Sequence, residues 1–214
     1  MMDDIFAPLT ANEEGLFGPV DMAPMDLTEE QVSDRKMVLR IEKNAHKFQG
    51  KIAKDIAQIY QIIEQLGEDD VAHVFSDSID SPNIVNAFIG SIEELYLSTW
   101  AITPAGIQAL VDIGDKDKNP FLKDSMVMLD RTHSYKWMFK TGAAQRMKGK
   151  IRFKFASNHA KFQAIKLTTG ETLTFVGSFN LSNNPRFENT MISRSPEWFE
   201  FYKSCVLETP GAIF

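Results

Sequence analysis

Apolar residues fall along this chain in three regimes. Over residues 1–26 they are scattered among Gly, Pro, Asn and acids with neither a helical nor a strand period, which predicts a flexible tail. From Leu27 the pattern changes: Thr28 with Gln31 three residues on has the form of a capping box, and Ile41, Ala45, Phe48, Ile52, Ile56, Ile59, Ile63 and Leu66 recur every three or four residues. That stripe predicts a helical segment over 27–68, with a weak point at Gly50 and an end near Gly67. Beyond residue 69 short strands alternate with short helices, the mark of an α/β layer fold.

Within that third regime, strands are expected over 70–76, 95–102, 125–131 and 150–156. Helices are expected over 82–93, from a Thr103 cap followed by Pro104, and over 134–147. Two further strands, 160–167 and 173–177, flank the turn Thr168-Thr169-Gly170-Glu171 and so form a hairpin. Ser195-Pro196 opens a last helix whose Trp198, Phe199, Phe201, Tyr202 and Val206 give it a wide apolar face, read as core. The folded domain is expected over 69–206, with a C-terminal tail over 207–214.

Composition narrows the setting. Of 214 residues 43% are hydrophobic and 24% charged, and no apolar run approaches the roughly 18 residues of a membrane span, so no membrane is expected. Asp3 and Asp4 stand where a secretory signal carries basic residues, and Cys205 is the only cysteine; both fit a cytoplasmic setting. The net charge of −6 conceals a separation. Residues 1–34 carry nine acids and no Lys or Arg, whereas residues 131–170 carry ten basic residues and no acid. Such a stretch fits either a phosphate-binding face or a solvated surface.

Three polar groups lie close in sequence: His159-Ala160-Lys161, Gly177-Ser178-Phe179-Asn180 and Glu188-Asn189. Alternation along a strand would put His159 and Lys161 on one face, and Ser178 and Asn180 on one face of the neighbouring strand. Gly177 would let backbone approach a ligand closely. A nucleophile, a fixed cation and neutral donors are what phosphodiester cleavage requires. Ser178, with Arg152 and Lys154 from the basic stretch, are the candidate substrate-binding residues. No cluster of His, Cys or carboxylates has zinc-ligand spacing, so no metal and no cofactor are expected. His133, after a strand end, is a candidate phosphate contact.

The order H-x-K, then G-S-x-N on the next strand, then E-N, resembles the single-copy nucleases of the phospholipase D superfamily. The resemblance implies an α/β fold, a phospholipase D-like mixed sheet flanked by helices, here with an N-terminal helical extension. It implies a metal-independent phosphodiesterase, a nuclease acting on DNA through a phosphohistidine. His159 would attack phosphorus, a second His159 from a homodimer partner would serve as acid and then base, Lys161 and Asn180 would hold the non-bridging oxygens, and Glu188 would orient the imidazole. The family commonly carries an Asp seven residues after the His; here that position is Lys166, as in restriction-endonuclease-like members that lack the Asp, and strand parity turns it away from His159. The alternative is a non-catalytic nucleic-acid-binding module with a degenerate site. A lipid substrate lacks the interfacial basic-aromatic helix that would support it.

Overall fold

The computed structural model describes residues 48–52, 56–76, 80–182 and 188–214. In chain order these form β1 (Phe48–Ile52), α1 (Ile56–Gln65), β2 (Val71–Ser76), α2 (Ser81–Ala87), β3 (Ile92–Thr99), α3 (Pro104–Ile113) and β4 (Asp124–Asp130). Then come α4 (Tyr135–Lys140), α5 (Ala143–Met147), β5 (Phe153–Ala156), β6 (Phe162–Leu167), β7 (Thr172–Gly177), β8 (Glu188–Ser193), α6 (Pro196–Glu208) and β9 (Ala212–Ile213). The strands make one mixed sheet of nine, in the order β1-β2-β8-β7-β6-β3-β4-β5-β9.

Period-two alternation decides which side chains go to which layer. Leu95 and Leu97 of β3 join the core built with Ile59, Val85, Leu110 and Met147 of α1, α2, α3 and α5. Tyr96, between them, joins Phe199 and Val206 of α6 on the other face. Helices therefore cover both faces, and the expected mixed α/β sheet flanked by helices is what forms. Local signals set the helix starts: Asp80 Oδ1 accepts from Asn83 N at 2.9 Å with Pro82 following, and Thr103 caps α3 with Pro104 following.

Several elements differ from the sequence pattern. Residues 48–52 are a strand pairing parallel with β2, with Phe48 opposite Val71 and Ile52 opposite Phe75, where the stripe predicted helix. The reason lies in the residues: Phe48, Gly50 and Ile52 also alternate with Gln49 and Lys51, and Gly50 costs a helix about 1 kcal/mol. The tail over 1–26, the capping box at Thr28 and the earlier part of the stripe lie outside the described residues. The single helix predicted over 134–147 is two, because Gly142 takes φ 72° between α4 and α5. The segment expected as a tail instead extends α6 to Glu208 and returns as β9 alongside β5, with Phe214 N donating to Phe153 O at 2.8 Å.

Candidate active site at one edge of the sheet

Strand direction gathers the polar groups. β3, β4 and β5 are parallel, β6 is antiparallel to β3, and β7 and β8 continue antiparallel, so the C-terminal ends of β3, β4, β5 and β7 share one sheet edge with the N-terminal ends of β6 and β8. Ser98 is opposite Phe162, Phe162 opposite Val176, and Gly177 opposite Thr190. His159-Ala160-Lys161 thus emerges beside Trp100 on one side and Ser178 on the other. Catalytic sites of open α/β sheets sit at such strand ends.

Backbone hydrogen bonds fasten these loops together. Ala160 O accepts from Ser98 Oγ at 3.0 Å, and Lys161 O accepts from Gly177 N at 3.2 Å. Leu181 N donates to Thr99 Oγ1 at 2.9 Å, and Asn180 Oδ1 accepts from Ala101 N at 3.1 Å. With Oδ1 engaged, the Asn180 NH2 is the donor that remains for a ligand. Asn158 donates through Nδ2 to Thr99 O at 3.3 Å and accepts from Ala160 N at 3.0 Å. Asp130, only 6% exposed, accepts from His133 N at 2.6 Å and Asn158 N at 3.3 Å, joining the loops after β4 and β5.

His159 and Lys161 lie side by side, although they precede β6 and owe this to the loop rather than to strand alternation. Lys161 Nζ is 3.4 Å from His159 Nδ1 and donates to His159 O at 2.9 Å. Burial holds the Lys161 pKa below the ordinary lysine value, against the opposing pull of the nearby Glu188 carboxylate. Glu188 itself accepts from the Ser178 hydroxyl, not from the His159 ring. Gly177 is tight for a different reason from the one expected: a Cβ there would collide with Asn189 O and stand 2.7 Å from Thr190 Oγ1, so β8, not a ligand, occupies the space. Among the described residues, no group of three or more His, Cys, Asp or Glu side chains is placed to hold a metal ion.

Arg152 and Lys154 are not brought to this cluster. Arg152, at the other end of the parallel strands, pairs with Asp124 and donates to Ser125 O at 3.1 Å. Lys154 points into the α6 face of the sheet, where it is 2% exposed and donates to Thr209 O at 2.6 Å and Leu207 O at 3.3 Å. The carbonyls at the end of α6 satisfy its charge, and burial lowers its pKa. Lys150 pairs with Asp115, and Lys166 pairs with Glu94 at the far end of β6 from Lys161. The basic stretch is therefore largely dispersed. Arg131, Lys136, Lys140 and Lys148 remain exposed and outside any ion pair among the described residues.

The sequence pattern missed three members of this edge: Trp100, whose ring lies 5.2 Å from that of His159, and the two loop braces Asp130 and Asn158. The available signal was positional, since Trp100 and Asp130 stand at strand ends and Asn158 directly precedes the H-x-K motif.

No protein-family profile and no curated protein sequence matches the chain. Among solved structures it is similar to Nuc, a phospholipase D family member from Salmonella typhimurium, at 18% identity over 68% of this chain and 97% of that one, with a TM-score of 0.49. It is similar to the archaeal chromatin protein TrmBL2 at 10% identity over 84% of this chain and 66% of that one, with a TM-score of 0.44. Yeast tyrosyl-DNA phosphodiesterase, in a mutant form, is similar at 13% identity over 56% of this chain and 30% of that one, with a TM-score of 0.37. Among the described residues no helix is long and apolar enough to cross a membrane.

Proposed function

We propose that this chain is a phospholipase D-like phosphodiesterase that cleaves nucleic acid, DNA in the first instance, through a phosphohistidine on His159. The observation that carries this reading is the His159–Lys161 pair at a sheet edge, with Ser178, Glu188 and the Asn180 amide on the adjoining strand ends. In the first step His159 Nε2 bonds to phosphorus as the phosphorus–oxygen bond breaks, and His159 of the partner subunit gives its proton to the leaving oxygen. In the second, that neutral imidazole takes a proton from water, whose oxygen displaces His159 from phosphorus. Lys161 and the Asn180 NH2 carry the charge on the non-bridging oxygens.

Attack through Nε2 requires the ring proton on Nδ1, yet an ammonium facing Nδ1 favours the opposite tautomer. Phosphate binding resolves this: it draws Lys161 away from the ring, leaving Nδ1 able to carry the proton. Glu188 is the carboxylate whose charge acts on Lys161, and its attachment to Ser178 supports the second reading, a module that binds nucleic acid without turning it over. One H-x-K histidine per chain also means that cleavage by this mechanism requires a homodimer.

A cleavage screen with single- and double-stranded DNA, RNA and a small diester, run in excess EDTA, separates the readings. The enzyme reading expects EDTA-resistant cleavage, its loss in His159→Asn with binding retained, and a dimer by light scattering. Firm binding without cleavage of any diester gives the second reading. A fully active monomer overturns the shared mechanism.

A further inference from the structure

The Trp100 indole and His133 imidazole are stacked, 20° apart in plane and 4.3 Å between centroids, and the same indole meets His159 at 5.2 Å with a 49° tilt. Neither Trp100 nor His133 belongs to the hydrophobic core on either side of the sheet. Trp100 is half-buried and His133 exposed, so the imidazole is the more accessible ring of the stack.

The backbone that carries both rings is held before any ligand arrives. Buried Asp130 accepts from His133 N at 2.6 Å, Ser134 Oγ donates to Trp100 O at 3.2 Å, and Arg131 N donates to Ala156 O at 2.8 Å. Loops braced at both residues lose little entropy when a third ring is added. Arg131 and Lys136, exposed and outside any ion pair among the described residues, flank His133 along the chain and supply charge for a phosphate backbone.

We propose that the exposed His133 ring, backed by Trp100, is a stacking subsite for an unpaired nucleobase adjacent to the phosphate held by His159 and Lys161. The identity of that phosphate as part of a nucleic acid rests on the reading above; the aromatic stack and its exposure do not. Nucleobases stack on imidazole and indole faces with little regard to sequence, whereas a glycerolipid diester offers no ring to stack. A base inside a duplex has both faces covered, so the strand engaged here is single-stranded or locally opened.

The test uses short DNA and RNA strands carrying the fluorescent base 2-aminopurine, and matched strands with an abasic residue there, scanned along the sequence. Fluorescence is recorded on mixing with wild-type protein, before turnover. At one position the base should be quenched, and its removal should weaken binding about ten-fold. In His133→Ala, which changes an exposed side chain, the intact and abasic strands should bind within about two-fold of each other, and His133→Phe should restore the preference. A wild-type protein that binds intact and abasic strands equally at every position overturns the subsite. Cleavage of a base-free diester alongside such indifference would leave the phosphodiesterase reading standing. A clear base preference without any cleavage would do the reverse. A preference in DNA alone or RNA alone would tell which strand supplies the base.

Discussion

Lys161 Nζ faces His159 Nδ1 at 3.4 Å while donating to the carbonyl of the same histidine at 2.9 Å, so the motif's cation is parked on its own histidine. The two side chains should then fail differently. His159→Asn should abolish cleavage with binding within about two-fold of wild type, since an amide cannot form the phosphohistidine. Lys161→Ala should weaken binding about ten-fold and slow turnover by about 10²–10³, because its charge matters most as the transition state develops. The alkaline limb carries a sign as well. Burial lowers the Lys161 pKa, so phosphate affinity should fall as pH rises through a value below the ordinary lysine pKa of about 10.4. Lys161→Arg should keep its affinity through that range. An affinity independent of pH there would separate Lys161 from phosphate binding.

Asp130 should be structural in origin and functional in effect. It is nearly buried and accepts backbone N–H groups from both His133 and Asn158. Asp130→Ala should cost about 2–4 kcal/mol, seen as a Tm lower by roughly 5–15 °C for a chain of this size. Asp130→Asn, which keeps an acceptor, should lose less. Calorimetry showing no change in Tm for the alanine variant would mean that the two loops are held by other bonds.

Placing at position 166 the Asp that phospholipase D nucleases commonly carry should harm the protein without improving catalysis. Lys166 pairs with Glu94, which also accepts from Lys203 at 2.7 Å, at the end of β6 away from His159. Burial alone would raise the Glu94 pKa, but Lys203 and then Lys166 outweigh it and the net shift is downward. A lowered carboxylate pKa contributes stability above the unfolded-state value, which is lost as pH falls through the folded one. Lys166→Asp would set a second carboxylate against Glu94 and should lower stability by about 1–2 kcal/mol at neutral pH, with the deficit shrinking in acid. Denaturant melts at pH 7 and pH 4 would measure this. A gain in turnover would show that position 166 acts on the site.

Lys154 and Arg131 should exchange the roles that charge alone suggests. Lys154→Ala removes a buried ammonium from the carbonyls of Leu207 and Thr209 and should cost about 2–4 kcal/mol of stability, with nucleic-acid affinity unchanged in the folded fraction. Arg131→Ala should leave stability within about 0.5 kcal/mol and reduce the salt dependence of binding by roughly one charge. Salt titrations giving the opposite order would return Lys154 to the substrate path.

Local rules carried much of this protein. Thr103-Pro104 and Asp80 set helix starts because a cap satisfies its own neighbours' N–H groups, and the 162–177 hairpin follows from alternation around a glycine turn. The grouping of His159-Ala160-Lys161 with Ser178 and Glu188 was legible because all three segments flank consecutive, hydrogen-bonded strands. Tertiary structure decided what depends on partners remote in sequence. Phe48–Ile52 satisfies two periods at once, and pairing with β2 makes it a strand. Lys154 and Arg131 are alike as charges in a basic stretch, but the end of α6 buries one and the edge of the sheet exposes the other. Trp100, His133 and His159 come from three separate loops, so their contact exists only once parallel β3 and β4 and antiparallel β6 end at the same edge. Period and capping act over three or four residues and are written in the chain; burial and ring contact depend on which distant segment fills the neighbouring space, and packing alone settles that.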